Sequence, residues 1–426
     1  MSYCLKGGIL VDPVNQRQAR LDILVEGETI AAVGPGLDPG EAQVVPAEGL
    51  HILPGLVDMH VHLREPGRED EETIATGLAA AAAGGFAAVA AMPNTQPAID
   101  EAALVELVLG RAAAAGSARL YPIGCLTKGQ QGKEMAELGE MAAAGAVAFS
   151  NDGVPLGNAE VLRCAMEYSK LFGLPLLLHA EDADLSDGGV MHEGVWSTLL
   201  GLKGIPSLAE EAAVTRDLLL AEATGAAVHI CHVSTAGAVR AIREAKERGV
   251  KVTAEATPHH LVLTDAALEG YDTNAKVSPP LRAEADRQAL RAALADGTID
   301  AIASDHAPHT LEEKHREFGA AANGLVGLET SLGLILTELV RPGLMTLEEL
   351  ALKMSVNPRR ILNLPGGEIS PGQPADLTLV DLERVWTVDP ATFLSKSRNT
   401  PFAGRQLTGR AVAVLAGGRL IHAAAR

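Results

Sequence analysis

The sequence predicts an α/β protein: a (β/α)8 TIM-like barrel with a small β-sandwich domain built from the N- and C-terminal segments. Three observations carry this. Through the middle of the chain, short apolar strand-like runs alternate with alanine- and leucine-rich helical stretches. Both ends are instead β-rich and broken by turn residues. Residues of metal-ligand type stand just after most of the central strands, where a parallel barrel builds its site.

Near the start, Ile9–Val11, Asp22–Val25 and Thr29–Val33 are short apolar runs separated by Gly, Pro, Asn and Asp. Near the end, Asp376–Val380 and Ala411–Leu415 read the same way. Residues 1–52 and 368–426 are therefore assigned to the composite β domain and 53–367 to the barrel. Eight strands are placed near 55–61, 86–92, 119–125, 146–150, 174–179, 226–232, 250–255 and 299–304. Helices fall between most of them, around 101–115, 158–172, 208–224 and 235–248. The apolar stretch Gly77–Met92 is short for a membrane span and rich in alanine and glycine, so it reads as a buried helix running into a strand. A doubly wound open sheet is the competing fold. The absence of a glycine-rich dinucleotide loop after the first strand argues against it.

A chain of 426 residues with 47% hydrophobic and 21% charged residues can bury a sizeable core. Aromatics are only 3%, so that core is built from Ala, Val and Leu. The net charge of -19 argues against nucleic acid or an anionic membrane as partner, yet allows an anionic small-molecule substrate gripped by a local arginine. Cys4, Cys125, Cys164 and Cys231 are scattered, which suits a reducing, cytoplasmic setting. No basic segment followed by an apolar core marks a signal peptide.

His60 and His62 stand two apart at the end of the first barrel strand, so both imidazoles point the same way and can reach one metal ion. Arg64 follows. Later strand ends bring Asn94, Asp152, His179, His232, Asp305 and His309. His229 and His232 are an odd number apart, so one at most is a ligand, and His232 is nearer the loop. His259 and His260 follow a proline, leaving ligation, outer support and a structural role open. Four histidines and two aspartates can hold two divalent ions if one carboxylate bridges them. Asp305 could then take the proton of a metal-activated water and pass it to a leaving nitrogen. The charged run Glu312–Glu317 reads as a solvated loop or as part of a mobile cover.

In this order, the residues resemble the amidohydrolase superfamily, and within it the bacterial type I dihydroorotases. The signatures are Asp58–Gly67, Met92–Thr95, Ala254–Leu261, Lys276–Arg282, Ala303–His309 and Gly372–Leu377, so the resemblance spans the chain. It implies zinc as cofactor, with two ions per subunit. One would be held by His60, His62, Asp152 and Asp305, the second by Asp152, His179 and His232, with Asp152 as the bridge. Many relatives bridge with a carboxylated lysine, but no lysine lies here between Lys133 and Lys170.

The implied reaction is the reversible cyclisation of N-carbamoyl-L-aspartate to (S)-dihydroorotate plus water, the third step of de novo pyrimidine biosynthesis. Asp305 would be catalytic. Arg64 is placed to grip the ring carboxylate with parallel hydrogen bonds. Asn94 and His309 complete that clamp by analogy, and His62, Ser278, Asn323 and Gly324 contact the substrate. Two positions depart from the family pattern: Ser278 replaces an asparagine, and Asn323 stands where many relatives have phenylalanine. The resemblance also implies a homodimer and raises association with aspartate carbamoyltransferase. Another cyclic amidase (hydantoinase or allantoinase) is the nearest alternative, opposed by Arg64 and by the missing lysine. A non-catalytic scaffold subunit for aspartate carbamoyltransferase is the other, opposed by the complete ligand set.

Overall fold

The computed structural model describes residues 2–424. Eight parallel strands follow one another in chain order around the barrel: Leu56–Val61, Phe86–Ala91, Arg119–Cys125, Ala148–Ser150, Leu176–Leu178, Val228–Ile230, Val252–Ala256 and Ala301–Ile302. The ring closes where Val61 bridges His306 and the His62 N–H donates to the His306 carbonyl at 2.8 Å. Each predicted strand is present, several of them shorter than the apolar run that announced it.

Packing explains the alanine-rich composition. Inside the ring lie Met59, Ala90, Ile123, Ala148, Leu177 and Ala301, small and medium side chains that fill a narrow interior. Between strands and helices a larger layer buries Leu78, Phe86, Val105, Leu162, Val214, Ile242 and Leu290. The helices Ala102–Ala115, Ala159–Ser169, Leu208–Thr224 and Ala236–Glu247 lie where the sequence places them. The Gly77–Met92 stretch is the end of a helix, Ile74–Gly84, followed by the strand Phe86–Ala91. Gly85 makes that turn at φ 102°, and a Cβ there would meet the Ala411 Cβ at 2.9 Å.

Strands from the two chain ends join in one eight-stranded sheet. Ser2–Asp12 pairs with Arg17–Glu26, and His51–Pro54 sits between Ser2–Asp12 and Leu377–Thr387. Its core is Leu5, Leu10, Ile23, Val25, Ile52, Leu377, Leu379 and Leu415. The short strands Gln43–Pro46, His51–Pro54 and Arg419–Ala423 lie outside the runs singled out in the sequence.

Only Gly55 separates the sheet strand His51–Pro54 from the first barrel strand. Its N–H donates to the Asp376 carbonyl, and its own carbonyl accepts from Arg359 Nη1 at 2.6 Å. A Cβ at this position would lie 2.7 Å from that of Ala87. The two ends of the chain are thereby stitched to the barrel. No helix among the described residues is long and apolar enough to cross a membrane.

Candidate active site

The strand ends converge as the alternation of strand and helix requires. Asp152 is the centre. Its Oδ2 lies 3.4 Å from Nε2 of both His60 and His62, while its Oδ1 lies 3.2 Å from His232 Nε2 and 3.6 Å from His179 Nδ1. One carboxylate therefore faces two pairs of imidazoles, one with each oxygen. Asp305 Oδ1 joins the first pair, 3.1 Å from His62 Nε2 and 3.5 Å from His60 Nε2. All six are buried or nearly so.

Outer partners fix the rings. Glu255 Oε1 accepts from His60 Nδ1 at 2.6 Å, and Asn94 Oδ1 accepts from His62 Nδ1 at 2.7 Å. Both hydrogen bonds place the proton on Nδ1 and leave an Nε2 lone pair facing the cluster, the tautomer a metal ligand needs. His60 Nε2 is buried and has no hydrogen-bond partner. An orphaned acceptor beside two carboxylates and three more imidazoles is what a divalent cation would satisfy. The residue types and their convergence therefore fit a metal site.

Electrostatics follow from crowding. Burial opposes ionisation of Asp152, but the imidazoles of His60, His179 and His232 packed around it outweigh that and hold the carboxyl well below its ordinary range. Burial likewise opposes Glu255, yet His60 and His229 bring it down to about 2. Cys231 reaches the cluster beside His60 and Asp152, and burial pushes its thiol up, away from the thiolate.

The backbone is bent to make this possible. His232, Asp305 and Arg64 all have left-handed φ, at 34°, 48° and 61°. Non-glycine residues avoid that region at a cost of about 1–3 kcal/mol each, and such strain concentrates at functional sites. The sixth strand ends at Ile230, so the period-two argument that separated His229 from His232 does not reach His232. His229 stays in the strand with Nε2 3.2 Å from Glu255 Oε2, and His232 lies beside Asp152. His259 and His260 sit in the helix Pro258–Val262. Burial lowers His259 to about 4, and its Nε2 is buried without a hydrogen-bond partner among the described residues, whereas His260 bonds Thr257 and the Pro279 carbonyl.

A cavity of about 320 Å³ opens onto the cluster. Its walls bring together all seven residues that the sequence assigns to substrate: His62, Arg64, Asn94, Ser278, His309, Asn323 and Gly324. Asp152, His179 and Asp305 line it too, and His60 and His232 lie buried with them in the cluster.

Three supports were not anticipated. Glu71, buried, lies 2.8 Å from Arg64 Nε through Oε2 and 3.2 Å from His309 Nδ1 through Oε1, joining two residues of the clamp. Asn399, from the segment near the chain end, accepts the His309 N–H and donates to the carbonyls of Ala307 and Gly324. Glu255 is the third. Of these, only Glu255 left a signal: a lone carboxylate inside an apolar strand, next to the motif Thr257–His260.

Comparison with known proteins agrees with the geometry. A family model described as dihydro-orotase-like matches residues 49–238. A dihydroorotase of Pelotomaculum thermopropionicum is 53% identical over 99% of this chain and 98% of its own. The chain belongs to the dihydroorotase family. Another member, from Syntrophus aciditrophicus, is 50% identical over 99% of both chains. Among solved structures, an L-hydantoinase (dihydropyrimidinase) from Arthrobacter aurescens matches with a TM-score of 0.89 at 26% identity, covering 100% of this chain and 96% of that one. A dihydropyrimidinase from Brevibacillus agri matches at 0.84 and 25% identity, over 99% and 95%. The protein is thus a cyclic amidohydrolase. The barrel is common to dihydroorotases and hydantoinases, and the twofold higher identity lies with the dihydroorotases.

Proposed function

We propose that the protein interconverts N-carbamoyl-L-aspartate and (S)-dihydroorotate in the cytoplasmic synthesis of pyrimidines, with two zinc ions per subunit. The observation that carries the substrate choice is Arg64. Its guanidinium opens on the same cavity as the metal cluster, beside Asn94 and His309, and a ring carboxylate gives these three groups a ligand. A hydantoin ring has no carboxylate, so it would leave the cavity side of this arginine without a ligand, its Nε remaining on Glu71 and the Pro308 carbonyl.

His60, His62, Asp152 and Asp305 would hold one ion, and Asp152, His179 and His232 the other. When bound, the cations polarise the amide carbonyl and lower the pKa of water. The chain's own residues do the rest. Asn94 spends its Oδ1 on His62, leaving its NH2 group to donate to the substrate carboxylate. His309 is held by Glu71, 3.2 Å from Nδ1, and its Nε2 faces the Asn323 carbonyl at 2.8 Å, a contact that it would exchange for the substrate carboxylate. Asp305 takes the proton of the attacking water and delivers it to the departing ring nitrogen, and runs the reverse in cyclisation. A homodimer, and association with aspartate carbamoyltransferase, complete the proposal by family.

The deciding experiment compares turnover of dihydroorotate, hydantoin and allantoin by the zinc-reconstituted enzyme, with metal analysis. Dihydroorotate should be preferred. Preference for an uncharged ring would overturn the reading, and inactivity on all three with full zinc content would favour a scaffold.

A further inference from the structure

Two lysines near the cavity have an arrangement that the reaction does not explain. Lys314 belongs to the charged run Glu312–Glu317, where the sequence suggests solvent exposure, yet it is 1% exposed. Its Nζ donates to the carbonyls of Ala322 at 2.8 Å and Gly324 at 2.9 Å and reaches that of Lys276 at 3.5 Å. Lys276, also buried, donates to the carbonyls of Phe318, Gly319 and Ala321 at 2.8, 3.1 and 2.7 Å, with its Nζ 5.4 Å from the Phe318 ring centre. Among the described residues neither ammonium has a carboxylate at ion-pair distance. Asp272 acts on Lys314 only from further off.

Burying two cations side by side costs stability that an apolar pair would not. Their partners show what is obtained. Between them they satisfy most of the carbonyls of a segment with no regular secondary structure, 318–324, which would otherwise turn to water. That segment carries Asn323 and Gly324 in the cavity wall and the carbonyl that bonds His309. Lys276 itself stands two residues before Ser278 in the adjoining wall, and its carbonyl accepts the Gly324 N–H at 2.9 Å.

We propose that Lys276 and Lys314 are positioning residues that clasp the segment 318–324 against the 276–278 wall and so set the affinity for the ring substrate. The proposal rests on reading Asn323 and Gly324 as substrate-facing. The clasp works in either protonation state of Lys314. An ammonium offers three donors and a neutral amine two, enough for Ala322 and Gly324.

The test is Lys314→Met, which keeps length and apolar volume and removes the donors. We expect unchanged zinc content, kcat within about threefold of wild type, KM for dihydroorotate raised by about tenfold, and faster hydrogen exchange across 318–324. A wild-type KM in a folded variant overturns the proposal, as does wild-type exchange. If the variant does not fold, the wild-type enzyme decides. Without substrate, the Ala322 and Gly324 amides should exchange slowly, and exchange at the rate of an unstructured peptide overturns the clasp. The exchange readout needs no turnover. An enzyme inactive on dihydroorotate would therefore refute the substrate assignment while leaving the clasp to be judged on its own.

Discussion

The two halves of the cavity are built by different means. The metal half takes its side chains from the ends of barrel strands: His60 from the first, Asp152 just beyond the fourth, His232 and Asp305 just beyond the sixth and eighth. Its geometry follows from closing the ring. The clamp half takes Arg64, Asn94, His309, Ser278 and Asn323 from loops, which have no such frame. It is held by groups brought from elsewhere: Glu71, Asn399 and the two buried lysines. In the proposed reading, chemistry is anchored in the scaffold and recognition in side-chain contacts.

Perturbations should separate the halves by the kinetic constant they change. Asp305→Ala should lower kcat by about 10²–10⁴-fold, the range for loss of a general acid–base group, with most of the zinc retained. Near-normal rates would remove Asp305 from the proton path. Arg64→Met should act on the other side. Losing hydrogen bonds between charged groups, at roughly 1.5–3 kcal/mol, should raise KM for dihydroorotate by about 10–100-fold while kcat changes little. If kcat falls instead, the clamp and the metal half are not separable.

Glu255→Gln keeps an oxygen for His60 Nδ1 but removes the charge. Zinc affinity should drop by about tenfold, measured by competition with a chelator, with KM unchanged in the zinc-saturated enzyme. A further effect, on stability instead of kinetics, concerns Lys314. Burial first, and then Lys276, lowers its amine from 10.5 to about 7. Between those values the unfolded chain binds the extra proton, so the stability contributed by this group rises as pH increases through that window and is least below about pH 7. The Tm difference between wild type and Lys314→Met should shift in favour of wild type from about pH 6 to about pH 9. A pH-independent difference would mean that the amine does not titrate in the fold.

The same division governs what could be read from the sequence. The metal half was legible because each candidate ligand stands at or just past the end of an apolar run, and the runs themselves mark the barrel. Arg64 stood out for the same reason, two residues after His62. Asn94, His309 and Gly324 needed the resemblance as well. The supports were illegible. Glu71 and Lys314 lie in runs of charge that look solvated, and Asn399 lies in a polar stretch with no periodicity. Each acts on partners that folding brings near, such as Arg64 for Glu71 and His309 for Asn399. The choice of His232 over His229 agrees with its place beside Asp152, although the strand stops at Ile230 and so nearness to the loop, not parity, is what separates the two.

The strand His51–Pro54 has a consequence for biosynthesis. It lies between the first strand of the chain and a strand that begins at Leu377, with Leu377 opposite Pro54. A ribosome adding about 5–20 residues per second delivers that partner roughly 15–65 s after Pro54. Through that interval one edge of the N-terminal sheet is unpaired, while the nearly complete barrel grows directly from the same strand. An N-terminal sheet that forms as it is made would therefore keep an open β edge until Leu377 is added.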